Sequence, residues 1–174
     1  MSRRLILMRH AKSSWDDPRL ADHDRMLNSR GIRAAGLIGR WLAAKGHVPG
    51  EALVSAAART QETWTRVAAA LAGAGEAPAA GIPARSEVRL YHADPDTMLK
   101  VLRTAQAPVV ALIGHNPGIA EFAARLLRRE PDHREFRRYP TAATLVADFP
   151  IDDWAALVPS SGDAVDFVVP RELE

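Results

Sequence analysis

Two short apolar runs, Leu5-Ile6-Leu7-Met8 and Val109-Val110-Ala111-Leu112-Ile113, constrain this chain more than any other feature. Neither is long enough for a helix, and unbroken aliphatic character over four or five residues suits a strand covered on both faces. Segments of helical period alternate with such runs along the chain. That alternation predicts an α/β fold, a three-layer α/β/α sandwich around a mainly parallel central sheet. Each run also ends on chemistry: Arg9-His10 follows the first, and Gly114-His115 follows the second.

The remaining elements follow from capping and periodicity. Asn28 is an N-cap for a helix through Ile32, Ala35, Leu37, Ile38, Trp41 and Leu42, stopped by Gly46. Ala52 to Ser55 reads as a second strand, and Arg59 to Ala72 as a helix with Trp64, Val67, Ala68 and Leu71 inward. Gly73 to Pro83, rich in Gly, Ala and Pro, reads as a surface loop. Val88 to Tyr91 is a short strand candidate, and Asp94-Pro95 opens a helix containing Met98, Leu99, Val101 and Leu102. Pro117 to Leu127 is a further helix. The tail supplies strands over Ala143 to Ala147 and Ala164 to Val169, with a loop from Pro150 to Gly162.

With 174 residues and no linker-like stretch, a single domain over 1–174 is expected. The net charge of +2 and the scattered arginines give no reason to expect nucleic acid. The one basic concentration, Arg125, Arg128, Arg129, Arg134, Arg137 and Arg138, is interleaved with Glu130, Asp132 and Glu135 and reads as a solvated face. There is no cysteine, which removes disulfides, thiol catalysis and thiolate metal sites. No apolar run approaches the ~20 residues that span a bilayer, and a strand begins too early for a signal peptide. A cytoplasmic protein with no membrane partner is the expectation.

In open α/β sheets ligands bind beyond the carboxyl ends of the strands, which is where His10, Arg59 and His115 fall. A neutral imidazole is a good nucleophile toward phosphorus, and neighbouring guanidinium charge favours that neutral form. Arginine forks match phosphate oxygens bidentately and stay charged at any working pH. Arg59 at a helix start is electrostatically disfavoured unless an anion compensates. Arg9, Arg59 and His115 therefore read as phosphate-binding groups around a catalytic His10.

The blocks that carry these residues resemble the histidine phosphatase superfamily, in its SixA-type phosphohistidine phosphatase branch. Arg9-His10-Ala11-Lys12-Ser13-Ser14-Trp15 is similar to the superfamily's RHG-type signature. Asp24 to Gly31, Ser55 to Thr63, Leu90-Tyr91-His92-Ala93, Gly114 to Gly118 and Pro140-Thr141-Ala142 continue the similarity in order. The resemblance implies a phosphoglycerate mutase-like fold and a phosphatase in which His10 becomes phosphorylated, Arg9 and Arg59 hold the phosphate and His115 stabilises the transferring group. It implies neither a metal nor another cofactor. The implied substrate is a phosphorylated protein carrying phosphohistidine, or a small phosphorylated molecule.

Met26 departs from the family's proline, and no general acid is unmistakable; Glu87 is the nearest positional candidate, against its reading as a solvent-facing strand residue. An alkoxide leaving group needs a proton donor worth ~10²- to 10⁴-fold, whereas imidazole leaves with less help, so a weak acid favours P–N bonds. The alternatives are a phosphomonoesterase acting on a small metabolite, a non-catalytic phosphate-binding module and a metal-dependent hydrolase. The last lacks paired metal-ligand spacing. Trp15 either lines the cleft or covers the core, Lys12 reads as solvated, and His23, His47, His92 and His133 read as surface residues.

Overall fold

Alternation along the first strand, β1 (Arg3–Arg9), divides the interior in two. Leu5 and Leu7 join one apolar cluster, while Ile6 and Met8 join the other. The computed structural model describes residues 1–78 and 80–174. Its further elements are α1 (Ser29–Lys45), β2 (Glu51–Ser55), α2 (Ala58–Gly73), β3 (Ala84–Glu87), α3 (Pro95–Leu102), β4 (Val109–Gly114), α4 (Gly118–Leu126), β5 (Thr144–Phe149) and β6 (Asp163–Val168).

The six strands lie in the order β3-β2-β4-β1-β5-β6. All pairs from β3 to β1 are parallel, and β5 runs antiparallel to both of its neighbours. Helices α1 and α2 cover one face through Ile38, Leu42, Trp64, Val67 and Leu71. Met98, Leu102, Ile119, Phe122 and Leu126 of α3 and α4 cover the other. This is the expected α/β/α sandwich with a mainly parallel sheet. Among the described residues no helix is long and apolar enough to cross a membrane.

Local chemistry accounts for the boundaries. Asn28 Oδ1 accepts from the Gly31 N–H at 2.9 Å, and Gly46 closes α1 in the left-handed conformation with φ of 72°. Asp94 caps α3 by accepting from the Thr97 N–H at 2.8 Å. The other expected elements shift by a residue or two at their ends, β1 included, which begins at Arg3.

Three expectations need correction. Val88 to Tyr91 is not a strand: residues Val88–Leu90 form a 3-10 turn after β3. The true strand is a four-residue edge bearing Arg85, Ser86 and Glu87, with no apolar run to announce it, and Val88 is 75% exposed. The loop from Pro150 to Gly162 contains a 3-10 turn, Trp154–Ala156, whose buried indole donates to the Ala107 carbonyl at 2.7 Å. His47 is buried, accepting from Arg4 at Nδ1 and donating from Nε2 to Asp166. His133 is also held, bonded to Glu172 at 2.6 Å. The loop expected over Gly73 to Pro83 spans the chain between α2 and β3, and its residue 79 lies outside the described residues.

The basic concentration is a solvated face, with pairs such as Arg125–Asp96 and Arg137–Glu130. Trp64 and Leu126 are core residues, and Trp41 is partly buried against the same cluster as Trp64.

Helix α1 packs its first turn directly on the chain that follows β1. A Cβ on Gly31 would stand 2.1 Å from the Lys12 carbonyl oxygen, which itself accepts from the Asn28 N–H at 3.0 Å. A Gly31→Ala substitution is therefore expected to cost about 1–3 kcal/mol, as overpacking against backbone does. Urea unfolding of the two proteins checks this, and an unchanged midpoint would contradict it.

Candidate active site

The ladder between β1 and β4 sets Arg9 opposite Gly114, so the next residue on each strand is a histidine at the carboxyl edge of the sheet. The rings of His10 and His115 lie 5.3 Å apart. The backbone of His10 is fixed on both sides, its N–H donating to the Gly114 carbonyl and its carbonyl accepting from Ala142, each at 3.0 Å. One residue on, the Ala11 N–H donates to Thr63 Oγ1 of α2 at 2.9 Å.

His10 Nδ1 donates to the Ala11 carbonyl at 2.7 Å. That bond fixes the tautomer and leaves Nε2 as the nitrogen with a lone pair for attack. Burial, then the Arg9 and Arg59 charges, push the His10 pKa down to about 4 against the opposing Ala11 bond. The ring is thus neutral and nucleophilic at neutral pH.

His115 is depressed further, to about 2, by burial first and then by the adjacent His10 and Arg59. Its Nε2 lies 2.7 Å from Ser55 Oγ at the end of β2. In the tautomer where the Ser55 hydroxyl donates to Nε2, Nδ1 carries a proton. Nδ1 is buried and has no partner among the described residues. A buried donor left so costs roughly 1–3 kcal/mol, which an anionic oxygen would offset.

Arg9 donates from Nη1 to the Tyr139 carbonyl at 3.2 Å, while its buried Nε has no partner among the described residues. Burial and the Arg59 charge both lower its pKa, although a guanidinium remains charged. Arg59, in the first turn of α2 and 5% exposed, donates to the Asp22 carbonyl at 2.8 Å and to Asp22 Oδ2 at 3.0 Å. The anion required at this helix start is therefore a side chain of the loop between β1 and α1.

The structure brings Arg9, His10, Arg59 and His115 to one cleft of about 270 Å³, along with Lys12, Trp15, Asp22, His92 and Thr141. Trp15 is 67% exposed with the Arg25 guanidinium 4.0 Å from its ring centroid, so it lines the cleft rather than covering the core.

Residues 5–79 match the family model described as histidine phosphatase superfamily, branch 1. An uncharacterised protein of Mycobacterium leprae is 34% identical over 177 residues, which cover 94% of this chain and all of the relative. The chain belongs to the histidine phosphatase superfamily. A solved structure, a proposed phosphohistidine phosphatase SixA from Nakamurella multipartitia, is 27% identical with a TM-score of 0.79, covering 98% of this chain and 97% of that one. The protein histidine phosphatase SixA complexed with tungstate shares the fold at a TM-score of 0.77 and 20% identity, over 98% of this chain and 99% of its own.

Several residues of this cleft carry no signal of their own in the sequence. Asp22 was overlooked because it sits in a loop without periodicity, although the uncompensated Arg59 was a signal for such an anion. Tyr91 donates to Asp22 Oδ2 at 2.6 Å and stacks on His92, whose ring lies 5.3 Å from that of His115. His92 is exposed as expected, yet it lines the cleft. Ser55 and Thr63 act as holders of His115 and of the Ala11 backbone.

Glu87 does not line the cleft; it pairs with Arg89 at 2.9 Å and Arg85 at 3.7 Å, and the Arg89 bond leads the causes lowering its pKa. It is a paired edge-strand residue outside the cleft and is not placed to act as its general acid. Asp22 is the one carboxylate of the cleft lining among the described residues, and the Tyr91 hydrogen bond followed by Arg59 lowers its pKa as well. Met26, 49% exposed, alters only the surface.

Because the unfolded His10 titrates near 6.5 and the folded ring near 4, the unfolded chain takes up a proton in that window that the folded one refuses. Stability is therefore expected to fall as pH drops from 6.5 toward 4, by about 1.4 kcal/mol per pH unit for each such histidine. Above 6.5 this contribution is constant. Urea unfolding between pH 7 and 5 should show a shallower loss in a His10→Gln variant, and an NMR titration of His10 centred at 6.5 would contradict the assignment.

Proposed function

We propose that this chain is a phosphohistidine phosphatase, removing the phosphoryl group from a phosphorylated histidine on a partner protein. His10 is the nucleophile in this reading. Its Nε2 lone pair forms a bond to phosphorus as the P–N bond of the substrate breaks. The substrate's second ring nitrogen carries the proton, so the group leaves as neutral imidazole. Water then attacks the phosphohistidine at His10, releasing inorganic phosphate and restoring the ring. Arg9 and Arg59 bind the equatorial oxygens, and His115 Nδ1 donates a third hydrogen bond; such preorganised donors are each worth roughly 10²- to 10³-fold in rate.

The observation that carries the choice of bond is the protonation of the cleft. Its one carboxylate among the described residues, Asp22, is held in the ionised form by Tyr91 and Arg59 and cannot protonate an alkoxide at neutral pH. A phosphoramidate needs no such acid. The exposed rim, with Trp15 at 67% and the His92 side chain at 54%, supports access by a phosphate carried on a protein. The SixA-type structures, named for phosphohistidine phosphatase activity, support the same reading.

A phosphohistidine peptide and an alkyl phosphate, compared at matched concentration, test this. The expected kcat/KM favours the peptide by about 10²-fold or more, the scale of a missing general acid. Rapid quenching should trap acid-labile phosphate on the wild-type chain and none on His10→Ala, which should be inactive. Equal or faster turnover of the alkyl phosphate would replace the reading with a phosphomonoesterase.

A further inference from the structure

The cleft continues into a second depression. Lys12 and Thr141 line both, and the second, of about 290 Å³, is also lined by Arg30, Arg33, Arg138 and Arg171. It starts two residues after His10 and one residue before Ala142, whose N–H holds the His10 carbonyl. Five cations face two carboxylate side chains there, Glu135 and Glu174. Glu135 is buried and lies 3.4 Å from Arg138 and 4.0 Å from Arg171.

Lys12, Arg30 and Arg33 have no ion-pair partner among the described residues, unlike the paired arginines of the 125–138 face. Arg30 and Arg33 also stand at the beginning of α1, whose first turn holds no acidic residue. Cations there oppose the helix dipole. Unpaired like charge gathered beside a catalytic cleft is unfavourable by itself and attracts a complementary surface.

We infer that this groove seats an acidic stretch of the phosphorylated partner, next to the histidine that delivers its phosphate. The inference rests on the phosphohistidine reading and names what the partner must carry: carboxylates flanking the phosphorylated residue. The long, exposed side chains of Arg30 and Arg33 suit dispersed carboxylates better than a caged second phosphate. The groove lining holds no aromatic ring among the described residues, so the stacking platform of a single-stranded nucleic-acid site is missing.

The test uses two synthetic phosphohistidine peptides of equal length, one with Asp and Glu flanking the modified residue and one with Ser and Asn. A small phosphoramidate serves as the substrate that reaches only the cleft. The wild-type chain should turn over the acidic peptide with a KM about tenfold lower than the neutral one, the gap closing as salt is raised. Arg30→Glu with Arg33→Glu should abolish that preference and leave turnover of the small phosphoramidate unchanged. Arg30→Glu places acid in the first turn of α1, which favours folding, and Arg33 is an exposed side chain without an ion-pair partner among the described residues.

If both peptides are processed alike and the double variant changes nothing, the groove has no docking role while the phosphohistidine reading stands. If neither peptide is turned over and alkyl phosphates are, both readings fall. Stronger competition by a single-stranded oligonucleotide than by a poly-glutamate peptide overturns the assignment to a protein partner.

Discussion

The parallel ladder between β1 and β4 holds Arg9 level with Gly114, and the next residue on either strand is a histidine. Strand pairing thus brings together two rings separated by more than a hundred residues of sequence. Backbone bonds donated to Gly114 and accepted from Ala142 then fix the His10 main chain, and the Ala11 carbonyl fixes its ring. The ring is aimed by hydrogen bonds that the sheet and its flanking loops make in any case, so little ordering remains for the attack proposed for it. Tyr139 ties the far side into the same frame, with its buried hydroxyl donating to the Leu7 carbonyl and accepting from the Leu145 N–H.

Around that frame the electrostatics are deliberately one-sided. The buried Arg59 and half-buried Arg9 guanidinium groups face two imidazoles, which burial and positive neighbours keep neutral. The arrangement is costly for the protein alone, as the lowered Arg9 pKa and a His115 Nδ1 without a partner among the described residues both indicate. Asp22 offsets part of the cost by taking two donors of Arg59. In the proposed reaction a phosphoryl group using the same fork competes with that carboxylate, which couples substrate binding to the loop between β1 and α1.

Much of this was legible in the sequence for physical reasons. Strands covered on both faces must be apolar throughout, so β1 and β4 announced themselves, and the residues at their ends followed. The caps Asn28 and Gly46 marked α1 because backbone groups at helix ends need partners. What escaped notice lies where burial leaves no periodic trace. Edge strand β3 is polar, Trp154 is a single anchor inside a loop, and His47 owes its burial to partners from distant strands. Asp22, Tyr91 and His92 act through contacts across the mouth of the cleft, a relation that no spacing along the chain encodes.

The rims of the sheet bear on how such an apolar centre stays solitary. On one side β3 is only four residues long and carries Arg85 and Glu87; on the other β6 bears Asp163 and Asp166, and its ladder with β5 slips register between Val146 and Ala147. Short, charged and kinked margins give an incoming strand no flat row of amides to extend. Fibre-like growth is thereby discouraged at both borders, and the greasy interior ladders are kept from templating a neighbouring molecule.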